Sequence, residues 1–423
     1  MKKLTFILIT IFILPLSLSA LDFGLAVDQN ANVGGIGGEE ASGFYQADFI
    51  PRFSGLLGDI SGAWFGNYVI TAGLSAGTDE PYCIPELLRS EASLRFGNAK
   101  ITAGRMQYTA PFAAVADGLY DGFRFEYDTQ LGTFNAGAWY TGLLYKKRAN
   151  IIMTEEDARS YSTAVDYADF ADGSSAAAYF ASRRMAAALG WEHPAIVEKI
   201  RASAAFIAQF DLNGRDEYLH SQYVTLKAGV PINQFMFEAG GVLELAQTDD
   251  GSNIALAGEL GAFWTLPTPF TSRLSFTGYF SSGNNGSLAA FTPINAKTCG
   301  VILEAAPSGI CALSLDYTAR LHQTFSAGIS STYFIRSDLE TFAGYPVDVE
   351  NAHTSQASQA AHASQAKDGR ALGNEFFARL IWSPFSDLQI NLGGGIFIPA
   401  MGNAAPDMDP LWRIKIAAVF AIY

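Results

Sequence analysis

The chain has 423 residues, 49% of them hydrophobic and 13% aromatic but only 16% charged, with a formal net charge of -14. So much apolar surface excludes a disordered chain, and 27 Lys and Arg against 41 Asp and Glu leave no basic field to hold nucleic acid. Charge below the roughly 25% of ordinary soluble domains, with 31 Phe and 18 Tyr, points to a large surface that does not face water.

Residues 1–20 read as a secretory signal. Lys2 and Lys3 precede an uncharged apolar run from Leu4 to Leu14, and Pro15, Ser17, Ser19 and Ala20 supply the break and small residues that cleavage needs. Export with the signal removed near Ala20 follows as an expectation, leaving residues 21–423 as a single domain. No later stretch of about 18 apolar residues runs unbroken, so a helical membrane protein is excluded.

From residue 21 the pattern is one of period two. Leu88, Ser90, Ala92, Leu94 and Phe96 fall on one face of a strand, and Arg89, Glu91 and Arg95 on the other. Gly97-Asn98 is a two-residue turn, after which Ala99, Ile101 and Ala103 continue the apolar face opposite Lys100. Phe123, Phe125 and Tyr127 likewise oppose Arg124 and Glu126. Ile200 to Phe210 oppose Arg201, with Lys199 placed at the strand start. Phe237, Leu243 and Leu245 oppose Glu238 and Glu244; Leu256, Leu260 and Trp264 oppose Glu259; Arg273 begins the next polar face.

Eighteen strands are predicted, at about 21–27, 44–53, 60–75, 87–96, 99–107, 118–128, 133–144, 183–192, 197–211, 218–230, 234–247, 253–266, 271–282, 310–321, 324–336, 372–383, 387–398 and 410–423; sixteen is the alternative. Tight turns follow the even-numbered strands, and most odd-numbered ones lead into longer loops, notably 145–182, 283–309 and 337–371. Residues 298–305 look strand-like, but admitting them would invert the rims, so they are assigned to an extracellular excursion. Short turns at one rim and long loops at the other mark an all-β, transmembrane, antiparallel up-and-down barrel. Closure follows from hydrogen bonding, since an open edge in hydrocarbon leaves peptide groups unpaired. Arg105 and Asp121 break the apolar face and fall toward the long-loop rim.

This architecture resembles porin-type outer-membrane barrels of double-membraned bacteria. Ala103-Gly104-Arg105-Met106-Gln107 and Asp117 through Arg124 look like strand pieces of such families. The resemblance implies insertion into outer-membrane lipid, passage of small hydrophilic solutes, and contact of the last strand, ending at Tyr423, with the barrel-assembly machinery. It leaves a homo-oligomer open.

On this reading Arg89, Glu91, Arg95, Lys100, Arg124, Glu126, Lys199, Arg201, Glu238, Glu244, Glu259 and Arg273 line a pore of mixed sign, where they either set a transverse field or pair and brace the wall. Thr154 followed by acids reads as a helix start. Glu155, Glu156, Asp157, Asp166, Asp169 and Asp172 would make the 154–172 segment an anion-repelling constriction, or a cap on the mouth. Catalysis is poorly supported. His193, His220, His322, His353 and His362 lack metal-ligand spacing, and no phosphate loop occurs, so neither metal nor cofactor is expected. His353 to Ala366 is low-complexity loop. Cys83, Cys299 and Cys311 allow one disulfide, pairing open. The expected function is a water-filled diffusion channel. The alternatives are a surface adhesin or antigen on a barrel pedestal, and a specific exporter or importer of saccharides or fatty acids.

Overall fold

The computed structural model describes residues 21–422 apart from 38–40, 59–63, 79–83, 166–177, 198, 215–217, 285, 296, 340–368, 405 and 407–408. The signal segment, Tyr423, Cys83, His353, His362, Asp166, Asp169 and Asp172 lie outside the described residues.

Eighteen antiparallel strands form one sheet: β1 (Leu21–Ile36), β2 (Ser42–Gly58), β3 (Phe65–Gly77), β4 (Ile84–Phe96), β5 (Ala99–Thr109), β6 (Asp117–Thr129), β7 (Gly132–Tyr140), β8 (Arg184–Ile196), β9 (Ile200–Asp211), β10 (His220–Ile232), β11 (Phe235–Thr248), β12 (Gly251–Leu266), β13 (Thr271–Ser281), β14 (Ile310–His322), β15 (Phe325–Arg336), β16 (Ala371–Phe385), β17 (Leu388–Ile398) and β18 (Leu411–Ile422). Each pairs with its neighbours in sequence, and β1 pairs with both β2 and β18, in register from Leu25↔Ile422 to Ile36↔Leu411. The sheet is therefore a closed ring. No strand is left as an edge that would expose unpaired peptide groups.

Alternation then assigns the two faces. Phe123, Phe125, Phe206, Leu226, Leu260, Ile329, Ile416 and Phe420 remain exposed on the outside, while the residues between them turn inward. A continuous outer wall of large apolar side chains fits acyl chains rather than water. Turns follow the sequence reading, with Gly97 at φ 54° and Asn233 at φ 54° in two of them; both values belong to the left-handed region that Gly and Asn tolerate best.

Three details differ. β1 runs to Ile36, because Gly34 and Gly35, which look like loop in sequence, pair with Arg413 and Trp412. His193, Pro194 and Ala195 belong to β8, which has a register shift there, so the turn falls four residues later. On the long-loop rim, β11 and β12 are joined by only two residues, Asp249 and Asp250.

Candidate functional site: the lumen and its constriction

The inner wall carries ion pairs within single strands and between strands one or two places apart in the ring. Arg89 meets Glu91 at 2.5 Å, Arg95 meets Asp128 at 2.7 Å, and Lys100 and Arg124 share Glu126 at 3.0 and 2.9 Å. Lys227 stands between Glu259 at 2.7 Å and Glu238 at 3.6 Å. Arg379 reaches Asp316 at 3.1 Å. The Arg273 guanidinium lies over the Phe263 ring, 4.2 Å from its centroid. Arg201 faces inward on β9, exposed. Of the twelve wall residues read from sequence, two are placed elsewhere. Lys199 sits in the turn between β8 and β9, because the β9 ladder starts only at Ile200. Glu244 faces inward but is fully buried under a loop.

A hairpin folds into this lumen. β4 and β5 stop pairing at Ser90↔Arg105. Just below that point Gly104 adopts φ +115° and pairs with Gly122 of β6. A Cβ at Gly104 would strike the Ser90 carbonyl, and one at Gly122 the Ala138 carbonyl, so glycine is needed on both strands. Beyond the glycines Met106, Tyr108 and Tyr120 are buried, Tyr108 stacking on Trp139 at 4.2 Å between centroids. The tip, Ala110–Ala116, then crosses toward the far wall. Phe112, fully buried, lies 6.4 Å from the Tyr279 ring of β13 and against Gly240 of β11. β13 is eight strands from β5 in a ring of eighteen, so the tip spans the lumen.

Arg105 and Asp121, the two interruptions of the outer face, are the latch of this bend. They are directly paired across β5 and β6 and form a two-pronged ion pair at 2.8 Å in each contact. Arg105 also donates to the Leu87 and Leu143 carbonyls. The charge that looked misplaced toward lipid is thus covered and satisfied.

Residues 282–309 fold inward too. The 298–305 segment stays out of the sheet, as expected from sequence, but turns into the barrel rather than outward. Glu375 on β16 accepts the Val301, Ile302 and Leu303 N–H groups at 2.8, 2.9 and 3.0 Å, and Glu304 pairs with Arg413 and Lys415 of β18. Earlier in the loop Phe291 and Ile294 pack with Phe112 and Val115 in one apolar cluster. Asn295 joins the two infolded segments, since it accepts from the Tyr120 hydroxyl and donates to the Ala149 carbonyl. Strand-like alternation in 298–305 reflects burial of Ile302 and Ala305 against the wall rather than a place in the sheet.

The loop after β7 holds α1 (Lys146–Ala149) and α2 (Glu155–Ser162). Thr154 caps α2 with a reciprocal capping box to Asp157, as the sequence suggests. Of its acids, Asp157 and Glu155 are engaged in ion pairs. Asp157 is fully buried and pairs with Arg184 of β8, which also holds Asp211 of β9 at 3.1 Å. Glu155 is exposed and pairs with Arg159 one turn on. Arg148 reaches across to Glu86 at 3.2 Å and Asp48 at 3.8 Å. Cys299 and Cys311 are free thiols, one in the infolded loop and one outward on β14, so no bridge joins them. Among the described residues no group of His, Cys, Asp and Glu could hold a metal.

The sequence reading missed the hairpin tip and the Phe291 segment, yet both carry a signal. Ala-Pro-Phe-Ala-Ala-Val-Ala at 110–116 and Ala-Ala-Phe-Thr-Pro-Ile at 289–294 are uncharged apolar loops. A rim loop of that composition is not built for water.

No family model and no curated protein matches the chain. Solved structures do. Pseudomonas aeruginosa OccK2 (OpdF) matches with a TM-score of 0.60 and 11% identity over 96% of this chain and 98% of that one. OccK11 (OpdR), from the same organism, gives 0.58 and 13% over 96% and 97%, and OprD gives 0.56 and 11% over 96% and 96%. The fold is that of an outer-membrane porin. At such identities the likeness is one of architecture, and no functional residue transfers with it.

Proposed function

We propose that the protein is an outer-membrane channel through which small hydrophilic solutes diffuse without cofactor or reaction. The observation that carries this reading is that inner-wall ions of a closed ring keep contact with solvent: Arg95 and Asp128 remain 42% and 45% exposed although both face the barrel axis. Water inside an eighteen-stranded ring is a continuous path wherever the infolded segments leave room. The Phe112 tip and the 282–309 loop set its width, and the wall ion pairs set the field a solute meets. The likeness to OprD and the OccK proteins supports the reading at the level of fold. Because most of the wall cations named above have an acidic neighbour, we assign the channel no strong preference for one sign of charge.

Conductance of the purified protein in planar bilayers tests this, together with liposome swelling in neutral and charged probes of graded size. An insulating barrel that is folded would end the proposal. The pedestal reading receives less support, since the described parts of 141–165 and 282–309 turn into the barrel. Specific transport of saccharides or fatty acids predicts saturable uptake, which the same liposomes distinguish from diffusion.

A further inference from the structure

One polar side chain interrupts the lipid-facing wall midway along β1. Asp28 of β1 stands directly opposite Asp48 of β2, and Asp48 is buried and paired with Arg148 on the inner side. Alternation therefore turns the next residue, Gln29, outward. It is exposed, and among the described residues its amide has no hydrogen-bond partner. The other strand amides of the outer face are engaged: Gln222 bonds Gln247 at 3.4 Å, and Asn374 bonds Ser331 at 2.9 Å. An apolar band about 25 Å tall leaves an amide on two methylenes no route to water from mid-height. An amide with no partner in hydrocarbon is strongly unfavourable.

The surface around Gln29 permits close approach. Ala418 of β18 and Ala47 of β2 flank it in register, Ala31 is the next outward residue of β1, and Ala76 of β3 lies beyond Ala47. Larger side chains stand two residues above and below the flanking alanines: Tyr45 and Phe49 on β2, Ile416 and Phe420 on β18, each exposed. The result is a shallow hollow about 10 Å across three strands, with one polar group at its centre. Between apolar surfaces in lipid no hydrophobic force acts, so association rests on close packing of small residues and on polar contacts. This patch offers both.

We propose that this patch is the interface of a homodimer, in which two barrels meet along β18, β1 and β2 and each Gln29 amide bonds its own copy in the second barrel. Two copies inserted in one membrane share an orientation, so their twofold axis runs along the membrane normal and the contact is isologous. A residue beside that axis meets itself at the same depth. A carboxamide carries both donor and acceptor and is therefore complementary to itself, as a lone carboxylate or ammonium is not. A threefold ring would set two different surfaces together and leave each Gln29 facing some other residue.

The test uses the barrel with Cys83→Ser, Cys299→Ser and Cys311→Ser, so that only introduced thiols react. Oxidation in isolated outer membranes should join Gln29→Cys into a covalent dimer, and Ile329→Cys, outward on β15 and 62% exposed, several-fold less. Barrels labelled at Asn98→Cys in a periplasmic turn should show energy transfer in liposomes that rises linearly with acceptor fraction, as for pairs. Gln29→Leu should weaken the association about tenfold, and Ala47→Trp should abolish it. Both changes face lipid, and heat-modifiable mobility verifies that the barrels are folded. Ala204→Trp, outward on β9 eight strands round the ring, should pair as the parent does. No transfer above random, transfer with the curvature of a trimer, or equal cross-linking at 29 and 329 would overturn the proposal. The outcome is independent of the channel reading: a monomer can conduct, and a dimer can be closed.

Discussion

Truncating Phe112 to Ala isolates the constriction from the wall. The ring has no accessible surface, rests near Tyr279 and touches the position a Gly240 Cβ would occupy, 3.2 Å from Phe112 Cδ2 and equally close to Glu259 Oε1. A buried aromatic removes about 150–250 Å² from water, which at about 25 cal/mol/Å² is about 4–6 kcal/mol; core Phe→Ala changes measure about 3–5 kcal/mol. With 1.4 kcal/mol per tenfold in an equilibrium, the lower range shifts the docked tip toward release by roughly 10²–10³. Tyr108 and Tyr120 remain packed on Trp139 beside their own strands, and no ladder bond is touched, so the barrel itself should stay folded and keep its heat-modifiable gel mobility. Single-channel conductance should rise, with larger probes entering liposomes faster. Phe123→Ala, on the outer face where the ring is 53% exposed, should leave conductance unchanged. A folded Phe112→Ala barrel with wild-type conductance and probe cut-off would show that solutes do not pass the tip, and would refute the assignment of Phe112 to the constriction.

Four further outcomes are expected. Gly104→Val places a branched side chain at φ +115° against the Ser90 carbonyl; folded yield should collapse by gel mobility, and normal yield would remove the glycine bend as a requirement. Asp121→Ala strands the buried Arg105 and should cost about 3–5 kcal/mol, lowering the temperature at which the folded band disappears, whereas Arg105→Leu with Asp121→Leu should recover most of it; equal stability of single and double variants would deny the latch. Glu126→Gln frees Lys100 and Arg124, so zero-current potentials at 0.1 M salt should move toward anion preference and return near wild type at 1 M, where the screening length falls from about 10 to 3 Å. Burial pushes the Cys299 thiol up to about 12, so it stays neutral and should resist a water-soluble maleimide from pH 7 to 9; rapid labelling in the folded barrel would mean that the infolded loop leaves the wall.

The strands were written locally. A period of two survives in any context where one face is apolar, so all eighteen segments, the Gly97-Asn98 turn and the inward direction of Arg89, Glu91, Lys100 and Glu126 can be read from residue order alone. Thr154 announces its helix for the same reason, since a cap acts within one turn. Where β1 ends was less legible: Gly34 and Gly35 become strand only because β18, the last strand of the chain, pairs beside them.

What the chain does inside the ring was decided by closure. Phe112 finds Tyr279 and Gly240, Glu375 finds the Val301 to Leu303 peptides, and Arg184 finds Asp157 and Asp211, each across sequence separations that no local pattern encodes. Local residue order does determine that the 110–116 and 289–294 loops avoid water, and that Arg105 and Asp121 are anomalous. Only the tertiary structure supplies their partners, because the cost of a buried charge or an exposed apolar loop fixes that a partner must exist without fixing which strand of the ring brings it.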